Sequence, residues 1–287
     1  MAFDATTNRP ILATWDDVRD GMMRVLRDAS IMTLLCSVLS TCDYMPFGSY
    51  DVRHDVVDDD DHHDRHDHHQ PLLRILGLFH WKHLGDCLVI AYFFQQGLSL
   101  SFSIYGNVIQ CTLGYKSPSM MRSPILEASS PSDFWGRRWN VLVHSAMKRG
   151  VYKPVRHMTN SSILASLAVF VTSGAFHEWL VHACFIYDKN ENNDSFYGNY
   201  GGGGVRIGSQ TAFFVWNFVV IAIERFLVKN EIFANYARRV PRSLVPSLIV
   251  MTSLPVAHWF RDPYMYGGFF RDYEMCLAMM RRKAMTT

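Results

Sequence analysis

Apolar positions along this chain gather into blocks separated by polar stretches. Five blocks stand out, at 31–47 (interrupted by Asp43), 87–113, 161–187, 211–223 and 244–260. A helix crosses a bilayer core with roughly 20 mainly apolar residues, and a soluble protein rarely offers several runs this long. The first and fourth blocks are short enough to be buried core helices on their own. Taken together the pattern predicts an all-α, polytopic integral membrane helical bundle of about five or more spans with interfacial amphipathic helices. Ahead of the first block, Ile11, Leu12, Trp15, Val18, Met22, Val25 and Leu26 recur at helical spacing, with Arg19, Arg24 and Arg27 between them. This predicts an amphipathic helix at 11–28, lying on the membrane surface or against the bundle. Pro246 and Pro255 predict a kink in the last span. The tail, 261–287, alternates aromatics and charges without clear periodicity.

Composition is compatible with one large soluble domain or one membrane domain, at 287 residues with 49% hydrophobic and 14% aromatic content. Mean hydropathy near zero misleads, because the polar residues concentrate in loops. The net charge of +2 says little, but its distribution says more. Between 114 and 160 there are eight Lys or Arg against two acids, Glu127 and Asp133. Such an excess marks a cytoplasmic loop. The 188–208 loop is acidic on balance and 229–242 is basic again, which predicts a cytosolic N-terminus. Six cysteines, Cys36, Cys42, Cys87, Cys111, Cys184 and Cys276, show no metal or redox spacing and read as small buried hydrophobes. Asp4, Asp16 and Asp17 precede any apolar run, so the N-terminus does not read as a signal peptide.

Three segments follow: an amphipathic helix with a first span at 1–47, an acidic and histidine-rich loop at 48–83, and one membrane domain at 84–287. The loop holds the run Asp58-Asp59-Asp60-Asp61-His62-His63-Asp64-Arg65-His66-Asp67-His68-His69. Clustered His and Asp can hold divalent cations. Without fixed geometry such a run is more often a solvated loop kept extended by self-repulsion. The glycines at 201–204 lack the preceding strand and the Gly-Lys-Ser/Thr of a phosphate loop.

Candidate chemistry centres on the third block, which has no proline and no charge except Glu178. An ionisable group in mid-span is expensive enough to suggest function. Ser162, Ser166, Ser173 and His177 fall on one helical face, which should look into a bundle or cavity. Polar residues also serve simply to join membrane helices, and the block alone does not choose. His177-Glu178-Trp179-Leu180-Val181-His182 misses the zinc-protease motif, since its second histidine stands at i+5, about 140° round the helix. No nucleophile elbow is present. A lone histidine can still act as a general base on a hydroxyl, and membrane burial would suit a lipid alcohol. One loop earlier lies Pro131-Ser132-Asp133-Phe134-Trp135-Gly136-Arg137-Arg138-Trp139-Asn140. Ser132 or Asp133 is placed to cap a helix on which Trp135 and Trp139 stack and Arg137, Asn140, His144 and Lys148 form the opposite stripe. That helix suits an interfacial anchor or a receiver of anionic headgroups or nucleotide phosphates.

These residues carry a resemblance. Ser132 to Asn140, then Val151-Tyr152-Lys153-Pro154-Val155-Arg156, then Ser173-Gly174-Ala175-Phe176-His177-Glu178 resemble, in order and spacing, the wax synthase branch of the membrane-bound O-acyltransferases. Coverage runs from about 117 to 260. The resemblance implies an endoplasmic reticulum enzyme moving a fatty acyl group from acyl-CoA, its co-substrate, to a long-chain alcohol or a sterol. It implies His177 as catalytic base and Asn140 as the second polar residue of the reaction centre. Trp135, Arg137, Arg138, Trp139, Ser173 and Glu178 are expected around the substrates, with Glu178 a supporting group. No metal, cofactor or nucleic acid is expected; the partners are fatty acyl-CoA, the lipid alcohol and the bilayer. Two departures are the chain's shortness at its N-terminus relative to members with additional early spans and the Asp/His loop. Rival readings are a diacylglycerol or terpenoid alcohol acceptor, a divalent-cation transporter using His177, Glu178 and His182, and an inactive truncated relative.

Overall fold

A computed structural model describes residues 10–42, 44–48, 77–185, 207–231, 239–266 and 269. Apart from an isolated bridge between Leu12 and Tyr115, its regular elements are helical. In chain order they are α1 (Trp15–Leu39), α2 (Trp81–Leu113), α3 (Pro124–Glu127), α4 (Val141–Met147), α5 (Lys153–Thr159), α6 (Ser162–Phe185), α7 (Ser209–Leu227), α8 (Val245–Met251) and α9 (His258–Tyr266). Four stretches are long and apolar enough to cross a membrane, Trp15–Cys42, Trp81–Leu113, Ser162–Ala183 and Ser209–Leu227. The protein is a polytopic membrane helical protein. The Asp/His run, the glycines at 201–204 and most of the tail lie outside the described residues.

The stretch expected as a kinked last span is not one long helix. Residues 244–260 divide into α8, a short 3₁₀ turn (Leu254–Val256) and the start of α9. Pro246 is tolerated in the first turn of α8, whereas Pro255 has no N–H to continue a helix and its ring crowds the preceding turn.

The chain forms two compact units. The first comprises Met1–Thr41, Ala91–Gly150 and Glu224–Val250, and the second Cys42–Ile90, Val151–Ile223 and Met251–Thr287. In the first, α1 begins at a capping box, with Thr14 Oγ1 accepting from Asp17 N–H at 3.2 Å and Asp17 Oδ2 accepting from Thr14 N–H at 3.0 Å. It then runs without a break, so the amphipathic helix expected at 11–28 and the span expected at 31–47 are one helix. Asp28, which would otherwise punctuate the apolar run, is 1% exposed and fully partnered. Ser99 and Ser103 hydroxyls donate to its Oδ2 at 2.9 and 2.8 Å, and Arg27 pairs with its Oδ1 at 2.7 Å. Gln95 and Gln96 face inward as expected, Gln95 Oε1 accepting from Ile125 N–H and Gln96 Nε2 donating to the Asp28 carbonyl.

In the second unit α6 approaches the start of α7 closely. A Cβ on Gly174 would lie 2.5 Å from Thr211 Cα, so only glycine fits there. Further along, Trp216 Nε1 donates to Thr252 O and Ser253 Oγ donates to Asn217 Oδ1, fastening α7 to the break after α8. Cys36 and Cys87 are buried as expected, but Cys111 is exposed.

Candidate active site

His177 sits near the middle of α6 as a half-buried residue among aromatic rings. Its imidazole stacks on Phe214 of α7, with centroids 4.9 Å apart and planes at 22°. Phe260 of α9 meets it edge-on at 5.2 Å. Among the described residues one polar group reaches the ring: Tyr264 Oη lies 3.3 Å from Nδ1. Nε2 has no hydrogen-bond partner among the described residues. A histidine held at one nitrogen by a second group and open at the other is the arrangement of a general base whose tautomer is set from behind.

Glu178, the next residue, faces a different neighbour. Its Oε1 accepts from the backbone N–H groups of Gln210 and Thr211 at 2.8 and 3.3 Å. These are orphan donors of the first turn of α7, where a carboxylate also meets the positive end of the helix dipole. Glu178 thus ties α6 to the first turn of α7. Gln210 adds a second tie, its Nε2 donating to the backbone carbonyl of Phe260 at 2.9 Å, the residue whose ring faces His177. Ser173 is half-buried one turn before His177 on the same face.

The aromatic and basic motif, in the first unit, does not form the continuous helix expected. Pro131–Asp133 make one turn capped by Ser130, and Phe134–Arg138 widen into a π-helical turn closed by Trp139 N–H donating to Phe134 O. Trp139 is then extended, and Asn140 adopts the left-handed conformation (φ 45, ψ 67) as the N-cap of α4. The cap expected at Ser132 or Asp133 thus lies at Ser130 and at Asn140. Asn140 is suited to both tasks, being tolerant of positive φ and among the best N-caps. Its Oδ1 accepts from Val143 N–H at 3.1 Å. Because that bond needs an acceptor, the other amide atom, Nδ2, faces away from the helix as a donor, and it has no partner among the described residues.

Asp133 organises this turn. It is 6% exposed, and its Oδ2 accepts from Ser129 N–H and Oγ at 3.0 Å and from Arg138 Nε at 2.7 Å. Burial pushes its carboxyl up, but the bonds from Arg138 and Ser129 outweigh burial and hold it below the usual carboxylate range. Arg138 also pairs with Glu127 and donates to Arg122 O, so its guanidinium is committed to the fold. Arg137 reaches Asp133 at 3.2 Å yet stays largely exposed. Trp135 and Trp139 do not stack as expected: their rings lie 5.7 Å apart and tilted by 52°, while Trp139 stacks on Phe134 at 5.5 Å, and the three pack on Ile249, Val245 and Val250. Glu224 Oε2 and Oε1 accept from Ser132 N–H and Oγ. Asn140 belongs to the first unit and His177 to the second, and each is described within its own.

A model of the membrane bound O-acyl transferase family matches residues 117–197, a stretch that includes both Asn140 and His177. Over that stretch the chain resembles the membrane-bound O-acyltransferase family. It is similar to a probable long-chain-alcohol O-fatty-acyltransferase 3 of Arabidopsis thaliana, at 28% identity over 65% of this chain and 52% of the relative. A second Arabidopsis thaliana relative, probable long-chain-alcohol O-fatty-acyltransferase 8, is 32% identical over 64% and 48%. Over a shorter stretch, 18% of this chain and 16% of the relative, it is 42% identical to acyl-CoA–sterol O-acyltransferase 1 of the same plant. The chain spans about half the length of the first two relatives. No solved structure matches it.

Around His177, Tyr264, Phe260, Phe214 and Gln210 were not foreseen from sequence. Phe260 and Tyr264 stand at i, i+4 on α9, with rings 5.2 Å apart, and that spacing was the available signal. Among the described residues no group of three His, Cys, Asp or Glu side chains is arranged to hold a metal ion.

Proposed function

We propose that this protein transfers a fatty acyl group from acyl-CoA to the hydroxyl of a long-chain alcohol in the endoplasmic reticulum membrane, with His177 as general base. The observation that carries the reading is the histidine itself, in a span inside the stretch that the family's model matches, tied at Nδ1 to Tyr264 and unbonded at Nε2. Nδ1–H donates to Tyr264 Oη, leaving the Nε2 lone pair for substrate. Nε2 takes the proton of the acceptor hydroxyl as its oxygen attacks the thioester carbonyl. The tetrahedral intermediate collapses, the C–S bond breaks, and the departing CoA thiolate takes the proton back from Nε2. Asn140 Nδ2–H is proposed to donate to the carbonyl oxygen as it gains charge. The aromatic surroundings of His177 exclude water, which favours attack by the alcohol over hydrolysis.

A sterol acceptor is the second reading, supported by the similarity to the sterol acyltransferase. The test is expression in cells lacking their own neutral-lipid synthesis, fed with long-chain alcohols, sterols or diacylglycerol, followed by lipid analysis. Wax esters dependent on His177 support the first reading, and steryl esters with the same dependence the second. If no ester forms with any acceptor, both are wrong.

A further inference from the structure

The basic loop that leads into α6 holds charge that neither the fold nor the acyl-transfer chemistry uses. No Asp or Glu stands between Asp133 and Glu178, and residues 148–157 bring four Lys or Arg up to the span, Lys148, Arg149, Lys153 and Arg156. The last two lie on α5 at i, i+3, and His157 follows Lys153 at i+4, so the three share one helical face. All three are exposed, and among the described residues neither the Lys153 nor the Arg156 side chain has an ion-pair or hydrogen-bond partner. Arg138, earlier in the same loop, is by contrast committed to Asp133 and Glu127.

The corner after α5 fixes where this face stands. Asn160 ends α5 in the left-handed conformation (φ 52, ψ 13), its N–H donating to Arg156 O at 3.0 Å. Thr159 Oγ1 accepts from Ser161 N–H, and Ser161 Oγ in turn accepts from Leu164 N–H, capping the first turn of α6, each at 3.2 Å. α5 is therefore fastened to the end of a long apolar helix by a built corner. The surface beside it is apolar and open: Met158 is 81% exposed on α5, and Ile163 and Leu164 are 58% and 49% exposed in the first turn of α6. Apolar side chains at the end of a span belong in lipid, which puts Lys153 and Arg156 at headgroup level, their stems along the apolar surface and their charges outward. A basic excess marks the cytoplasmic side, and that leaflet carries anionic phospholipids.

We infer that the exposed face of α5 is a binding surface for anionic phospholipid headgroups, with Lys153 and Arg156 meeting the headgroup charge and Met158 seated among the acyl chains. Charge decides the occupant: the face offers cations with no acid close in sequence to neutralise them, so a zwitterionic headgroup gains little there and an anionic one gains from each. This surface stands independently of the proposed reaction.

The test titrates the purified full chain, in uncharged detergent stripped of phospholipid, with phosphatidylserine and with phosphatidylcholine, and reads bound lipid by native mass spectrometry. Phosphatidylserine should bind more tightly than phosphatidylcholine at low ionic strength, and the preference should shrink as ionic strength rises. Lys153→Gln combined with Arg156→Gln should weaken phosphatidylserine binding about thirtyfold and leave phosphatidylcholine unchanged. The melting temperature should not move, because neither side chain supports the fold, and this separates a lost preference from lost structure. Arg156→Lys keeps the charge and should keep the preference. Equal affinity for the two lipids in wild type, or an undiminished preference in the double variant, overturns the assignment. Displacement of the bound phosphatidylserine by CoA at matched concentration also overturns it, and makes the face a receiver of nucleotide phosphates.

Discussion

Asn140 caps a helix and is proposed to serve the reaction, and substitution can separate the two. Its Oδ1 caps α4, and its Nδ2 is the donor proposed for the acyl carbonyl. Asn140→Asp keeps a cap acceptor and removes the donor, so ester synthesis should fall about 10²–10³-fold with little loss of stability. Asn140→Gly keeps the backbone conformation without either group and should lose activity to a similar extent, at a cost of a few tenths of a kcal/mol. Melting curves beside turnover numbers check both. Asp133 carries a pH prediction. Its folded pKa lies below the ordinary value of roughly 4, so the stability it contributes is present above that value and is lost as pH falls through the folded pKa. Wild type should therefore melt well above Asp133→Asn at pH 7, by about 2–4 kcal/mol. That margin should shrink in acid, as melting of both proteins from pH 7 to 3 would show.

Among elements, the contact of α6 with α7 positions the histidine, through Gly174 below it and Glu178 beside it. Gly174→Ala should force the helices apart, lowering stability by about 1–3 kcal/mol. Activity should fall further than that loss implies, because Phe214 and Phe260 shift with α7; thermal melting and ester formation on one preparation measure both. The helices themselves were largely legible, since long apolar runs with one satisfied polar face need no tertiary knowledge. Two elements were not. α1 reads as two segments because the partners of Asp28, Ser99 and Ser103, lie more than 70 residues away. The break at Trp139 was hidden for a similar reason: helical periodicity runs straight through 131–148, and only the left-handed backbone of Asn140 shows that the chain turns.

For the whole molecule, the resemblance to membrane-bound O-acyltransferases was legible from three short motifs, and the family's model matches over 117–197. His177 was legible too, as an ionisable residue in an apolar run, but its partner Tyr264 came from a stretch without readable periodicity. The central claim is that this membrane protein joins acyl-CoA to a lipid alcohol with His177 as base. The most direct measurement follows free CoA thiol and ester together in purified protein given acyl-CoA and a long-chain alcohol, for wild type and His177→Ala of equal melting temperature. The account predicts equimolar thiol and ester from wild type and a rate lower by about 10²–10⁴-fold in the variant; equal rates from the two proteins would contradict it.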